Sequence, residues 1–245
     1  MTVPPVRIAM WSGPRNISTA MMRAFEHRPD TAVIDEPFYA AYLHRTGLDH
    51  PLRTQILTSQ PTDPARIVET LTGPVPGGRA VFYQKHMTHH MLPGIDRGWM
   101  RRCENVFLIR APEAVLASYA AKRIDVALAD IGFVQQAEMF DQIADRLGRA
   151  PPVIDADRIL ADPRHALSAL CGVVGIAFDD AMLRWPAGPR ATDGIWGPAW
   201  YDAVERSTGF AVSSRAASPV TLSAPLRVIA DRARAYYERL AQHAI

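Results

Sequence analysis

Residues 12–19 read Ser-Gly-Pro-Arg-Asn-Ile-Ser-Thr, placing turn formers, a guanidinium and two hydroxyls between a short apolar run and an amphipathic helical pattern. A strand, a tight turn and a helix start in that order make an anion cradle, because unpaired backbone N–H groups and the positive end of the helix dipole converge there. Arg15 adds charge to the cradle, and Ser18 and Thr19 add hydroxyl donors. The nucleoside-triphosphate loop, G-x-x-x-x-G-K-[ST], is a different object. With Ser18 or Thr19 in its last place, the lysine place holds Ile17 or Ser18. Further along the chain, Glu36 stands in Ile-Asp-Glu-Pro-Phe, Lys85 and His86 stand together, and Arg110 precedes Ser118 by about two helical turns. An arginine at a strand end and a hydroxyl in the following helix can both reach one phosphate. His86, His89 and His90 form H-x-x-H-H, which on a helix would share a face and could suggest zinc. No carboxylate or cysteine completes that set nearby, so polar packing is expected and no metal.

Five short runs rich in β-branched residues read as the strands that must position these groups: Val6 to Trp11, Ala32 to Asp35, Ala80 to Gln84, Val106 to Ile109 and Val153 to Asp155. Each is apolar on both faces, as buried parallel strands are. Helical spacing appears at Ile17, Met21, Ala24 and Phe25, and after Pro112 at Val115, Leu116 and Tyr119. It returns at Phe133, Ala137, Phe140, Ala144 and Leu147, and from Leu226 to Leu240. Alternating strands and helices predict an α/β fold with a parallel sheet covered on both faces. Ligands of such sheets bind beyond the carboxyl ends of the strands. The segments after the strands contain Arg15–Thr19, Glu36, Lys85-His86, Arg110 and Asp157, so the chemistry is sought there. The stretches 58–64, 73–78 and 186–198 read as loops, not domain linkers.

With these motifs on the page, the chain resembles the sulfotransferases that use 3′-phosphoadenosine 5′-phosphosulfate (PAPS). Their 5′-phosphosulfate loop, Lys-Ser-Gly-Thr-Thr in a strand–loop–helix, is similar to Arg15-Asn16-Ile17-Ser18-Thr19, with arginine for the usual lysine and Ile17 for glycine. "VFLIRAPEAVLASYAAKR" resembles the same family's 3′-phosphate element, and Arg110 and Ser118 match its phosphate-binding positions. "VIDADRILADPRHALSALCGVVGIAFDDAML" is similar to a later strand–helix element of the family. "GPRATDGIWGPAWYDAVERSTGF" resembles the loop that folds over the nucleotide, making Arg190 and Trp196 candidates. The resemblance spans roughly residues 6 to 185. It implies a three-layer P-loop nucleotide-hydrolase-like fold with a central, mainly parallel sheet of about five strands. It also implies PAPS as co-substrate, no metal, and a small-molecule or carbohydrate acceptor with a hydroxyl or amine.

Sulfuryl transfer to a hydroxyl needs cations where charge develops on the leaving phosphate and one base opposite. Arg15 is the candidate for the leaving group. Two bases compete. Glu36 matches the glutamate of bacterial and carbohydrate sulfotransferases, and His86 matches the histidine in the Lys-Thr-His-Leu-Pro stretch of cytosolic ones. An unperturbed histidine already suits neutral pH, whereas a glutamate must be raised by desolvation. The resemblance of the helix preceding Glu36 favours Glu36, with His86 and Lys85 lining the transfer site and Lys85 sharing the leaving charge. Two other readings remain: a small-molecule kinase on a P-loop fold, with Asp35 or Asp155 as magnesium ligand, and a non-catalytic nucleotide-binding protein.

The 245 residues suffice for one sizeable core, so a single domain over 1–245 is expected. Nearly half of them are apolar, the net charge is +2, and no run of 18 apolar residues occurs, which predicts a soluble protein without a membrane partner. Cys103 and Cys171 are too few for a disulfide framework, and with no leader-like N-terminus a cytoplasmic location is expected. Lysine occurs only at Lys85 and Lys122, the other basic residues being arginine. Arginine suits bidentate recognition of phosphate or sulfate oxygens. Without a basic tail or basic helix face, no nucleic-acid partner is expected. A homo-oligomer is left open.

Overall fold

The computed structural model describes residues 4–121, 125–211 and 221–245. The last residues of the 106–123 motif, Lys122 and Arg123, lie outside the described residues.

Five strands, β1 (Val6–Ser12), β2 (Thr31–Asp35), β3 (Val81–Met87), β4 (Glu104–Ile109) and β5 (Val153–Asp155), pair in the order β2-β3-β1-β4-β5, every pair parallel. The helices between them are α1 (Ser18–Glu26), α2 (Tyr39–Thr46), α3 (Arg53–Ser59), α4 (Pro64–Thr72), α5 (Pro112–Ala120), α6 (Phe133–Leu147), α7 (Ala156–Ala161) and α8 (Pro163–Val173). Two single turns, α9 (Gly197–Trp200) and α10 (Asp202–Glu205), precede the long C-terminal α11 (Ala224–Ala241). Among the described residues, no helix is long and apolar enough to cross a membrane.

Strand alternation sends Ile8, Met10, Tyr83 and Val106 to one face, where Met21 and Phe25 of α1 and Leu167 and Leu170 of α8 cover them. Ala9, Trp11, Phe107 and Ile109 go to the other face, under Phe140 and Ile143 of α6 and Leu240 of α11. Both faces are thereby removed from water, which is why the strands lack a polar side. The chain runs from β1 to β2 and β3 on one side and then crosses past β1 to β4 and β5 on the other, so the carboxyl end of β1 is a switch point where a crevice opens.

One strand differs from expectation in a way that matters for the site. The run ending at Gln84 continues to Met87, because β3 stays in register with β1 through Ser12↔Met87 and with β2 through Asp35↔Lys85. Lys85 and His86 are therefore strand residues, not the start of a loop. Successive strand side chains take opposite faces, so these two neighbours point away from each other. His89 and His90 follow in a 3₁₀ turn, Thr88–His90, so the H-x-x-H-H histidines do not share a helix face. Of the predicted loops, 58–64 holds the end of α3 and the start of α4, and 73–78 holds a 3₁₀ turn at Pro76–Gly78.

Candidate active site

The cradle forms where β1 ends. Gly13 is required there by close approach: a Cβ on it would lie 2.5 Å from the Ile131 carbonyl oxygen. Arg15 (φ 62°) and Ile17 (φ 55°) then take left-handed backbone conformations. For a β-branched residue that is a true outlier, costing on the order of 1–2 kcal/mol. It falls at the place that resembles the glycine of the sulfotransferase loop, where a left-handed backbone would carry no such cost. Ile17 is also the residue before α1 and offers no side-chain cap, which leaves the first-turn N–H groups free for an anion. Asn16 is buried and turns inward, its Nδ2 donating to the Leu108 carbonyl at 3.2 Å.

The two segments expected from the sequence to bind phosphate meet directly. Arg15 Nε donates to Ser118 Oγ at 2.9 Å, and Arg110 Nη1 donates to the Arg15 carbonyl at 2.9 Å. Arg15 Nη1 also reaches the Trp200 carbonyl at 3.5 Å. Arg15, Ser18, Thr19, Arg110 and Ser118 line one cleft of about 390 Å³ together with Glu36, Lys85 and Tyr39. Among the described residues, four buried polar atoms of cleft-lining side chains lack a partner: Arg110 Nε, Asn16 Oδ1, His89 Nδ1 and His90 Nδ1. Burial lowers the Arg15 guanidinium from its ordinary value, with the Asp202 charge pulling the other way and the Arg110 charge adding to the lowering.

Glu36 follows β2 in a left-handed conformation (φ 38°), its N–H held by the Lys85 carbonyl at 2.9 Å. Around it is a compact buried network. Lys85 Nζ donates to Asp35 Oδ1 (2.8 Å), Glu36 Oε1 (2.6 Å) and the Tyr201 hydroxyl (2.7 Å). Tyr201 in turn donates to Asp35 Oδ2 at 2.7 Å and accepts from Trp196 Nε1 at 2.9 Å. Burial pushes the Glu36 carboxyl above the usual carboxylate range; the Lys85 charge opposes this, and the Asp35 charge adds to it. The Lys85 ammonium, which burial disfavours, is nonetheless held above its ordinary value by Asp35 and Glu36.

Other candidates lie elsewhere. His86 is 1% exposed and stacks on Trp11 (ring centroids 4.3 Å apart), with Nε2 3.3 Å from Gln84 Oε1. It is not among the residues lining the cleft, and burial pushes its imidazole down to about 3. Arg190 also lies off the cleft, 3.8 Å from Glu26 Oε2 and donating to the Pro186 carbonyl at 2.5 Å. Trp196 does line the cleft, with its indole N–H committed to Tyr201. Sequence reasoning missed Tyr201, for which no local motif exists, and saw Asp35 only as a metal ligand. Pairing Asp35 with Lys85, its register partner on the neighbouring strand, was the available signal. Among the described residues no group of three or more His, Cys, Asp or Glu could hold a metal ion.

Comparison with known proteins bears on the family and the fold. Two Arabidopsis thaliana relatives, branched-chain-amino-acid aminotransferase-like proteins 1 and 2, are 35% identical over 240 residues and 34% identical over 203. These matches cover 98% and 83% of this chain but 42% and 36% of the relatives, so the chain spans less than half their length. The sulfotransferase domain from the curacin biosynthetic pathway superposes with a TM-score of 0.61 at 16% identity, over 96% of this chain and 98% of that one. A sulfotransferase from Alicyclobacillus acidocaldarius gives 0.60 at 11% identity, over 100% and 98%. At such identities these structures speak for the fold. The model of the sulfotransferase domain family matches residues 6–238, and the chain belongs to that family.

Proposed function

We propose that the chain transfers a sulfuryl group from PAPS to a hydroxyl of a small-molecule or carbohydrate acceptor, with Glu36 as general base, and that 1–245 acts as one sulfotransferase-like domain. The observation that carries the reading is the direct contact of Arg15 with both Ser118 and Arg110 in the cleft that also holds Glu36.

The residues fit an adenine-linked bisphosphate. The uncapped first turn of α1 and the hydroxyls of Ser18 and Thr19 suit the 5′-phosphate side. The unpartnered Nε of Arg110 and the Ser118 hydroxyl suit the 3′-phosphate. The donor supplies, when bound, a sulfuryl group activated as a phosphosulfate anhydride. Arg15 meets the charge that develops on the leaving phosphate, a kind of contact worth about 10²–10³ in rate. Glu36 Oε1 is held by Lys85, and Oε2 is the oxygen left to take the acceptor's proton. A carboxyl raised by burial is a better base near neutral pH than an exposed one. His86 is the poorer candidate, being outside the cleft and pushed down to about 3. No metal is needed for this chemistry.

Calorimetry and thermal shift with adenosine 3′,5′-bisphosphate and with magnesium-ATP test the donor. At about a hundredfold excess over Kd, the bisphosphate should stabilise by about 2.7 kcal/mol, or about 5–11 °C for a chain of this size. A shift with magnesium-ATP and none with the bisphosphate would favour a kinase instead. Bisphosphate binding without sulfuryl transfer to any member of a broad hydroxyl and amine panel would favour a non-catalytic nucleotide-binding protein.

A further inference from the structure

An ammonium group has three N–H donors and no acceptor. All three protons of Lys85 have partners at 2.6–2.8 Å, namely Glu36 Oε1, Tyr201 OH and Asp35 Oδ1. Of these partners, the Tyr201 hydroxyl is fully used as well. The Tyr201 hydroxyl accepts from Lys85 and from Trp196 Nε1 and gives its own proton to Asp35 Oδ2, which also accepts from the Gly194 N–H at 3.0 Å. Lys85 and the Asp35 side chain are both 1% exposed. A leaving phosphate could be met by this ammonium only if one of these buried charge-assisted bonds broke.

We propose that Lys85, Asp35 and Tyr201 form a clamp that orients Glu36 and governs its readiness to accept a proton, and that Lys85 is a positioning residue and not the cation for the leaving group. The proposal rests on Glu36 being the base. It departs from the expectation that Lys85 shares the leaving charge and leaves that task to Arg15. The geometry explains why one lysine is buried between two adjacent carboxylates: Asp35 fixes Lys85, Tyr201 fixes both, and Lys85 holds one oxygen of Glu36, which lines the cleft. The charged and titratable groups bearing on Glu36 are Asp35 from β2, Lys85 from β3 and Tyr201 after α9. The Tyr83 phenol feels Asp35, and the His90 imidazole feels Lys85.

The test reads the carboxyl itself. Protein carrying [¹³Cδ]glutamate is titrated by NMR, with Glu36 assigned by its loss in Glu36→Gln, for the wild type, Lys85→Met and Tyr201→Phe. Removing an ammonium in contact should move the Glu36 midpoint upward by about 1–3 pH units. Tyr201→Phe should move it in the same direction by less, since the hydroxyl gives its proton to Asp35 and its oxygen lies 3.4 Å from Glu36 Oε1. Affinity for adenosine 3′,5′-bisphosphate, measured by calorimetry, should change by less than about threefold in both variants. An unmoved Glu36 midpoint overturns the clamp, and so does a loss of bisphosphate affinity of about tenfold or more in Lys85→Met, the scale of a lost charged contact. If Lys85→Met does not fold, Tyr201→Phe decides alone by the same two criteria. Failure of the wild type to bind the bisphosphate would sink the donor assignment while leaving the Glu36 titration to decide the clamp.

Discussion

Replacing Glu36 by glutamine should remove turnover and at the same time stabilise the fold. The Glu36 carboxyl is raised chiefly by burial, with the Asp35 charge pushing the same way and Lys85 and Tyr201 opposing. A carboxyl whose folded value lies above its unfolded one holds its proton more tightly in the folded state. Stability is therefore unaffected below the unfolded value, near 4.3, and declines as pH rises until the raised value is passed. Glutamine keeps an acceptor oxygen for Lys85 and has nothing to ionise. The two proteins should thus have equal stability at about pH 4, with the variant gaining as pH rises until the raised value is passed. The gain is about 1.4 kcal/mol for each unit by which Glu36 is raised. A chain of this size answers with about 3–6 °C in Tm per unit. Urea melts of both proteins at three pH values, with matching m-values, measure the difference, and sulfuryl transfer should fall by about 10²–10⁴. A variant less stable than wild type at pH 8, or a difference that does not change with pH, would refute the electrostatic account of Glu36.

Three further outcomes follow from the same coordinates. Arg110→Ala should weaken adenosine 3′,5′-bisphosphate binding by roughly tenfold to 150-fold in calorimetry while sparing adenosine 5′-phosphate; equal loss for both ligands would mean that Arg110 only braces the Arg15 carbonyl. His86 is pushed down to about 3 by burial, below the unfolded value near 6.5, so its contribution is full above 6.5 and lost as pH falls toward 3. His86→Phe keeps a ring against Trp11, and its urea stability should fall less steeply than that of the wild type between about pH 7 and 4; identical slopes would place the imidazole in contact with water. Gly13→Ala sets a Cβ 2.5 Å from the Ile131 oxygen, so it should cost about 1–3 kcal/mol and lower Tm by at least about 2 °C, and a variant melting with the wild type would falsify the close approach.

The cradle was legible because its chemistry is local. A strand, a turn and a helix start within 12–19 contain their own reason for binding an anion, and the Arg110–Ser118 spacing places both on one strand–helix junction whatever the rest of the chain does. The strands were legible for a similar reason: a sheet covered on both faces demands continuous apolar runs, and four of the five begin and end within two residues of where those runs do. Arg190 is the contrary case. A guanidinium in a loop has no periodicity to orient it, and here Glu26 and the Pro186 carbonyl hold it away from the cleft.

Lys85 and His86 mark the boundary between what a local pattern carries and what only pairing decides. Gln84-Lys85-His86 reads as the polar end of a strand, yet each is at most 1% exposed because the neighbours on both sides, β1 to Ser12 and β2 to Asp35, keep the ladder running past them. Once the strand continues, alternation leaves no choice. Lys85 must fall on the face where Asp35 and Glu36 can pair it, and His86 on the face where Trp11 can stack against it. A register one residue shorter would exchange their roles, and the histidine would become the more plausible base. The choice of Glu36 over His86 is thus a consequence of how many rungs β3 shares with β1, a tertiary quantity. Tyr201, 116 residues from its partner Lys85, completes the network through a turn that no spacing along the chain foretells.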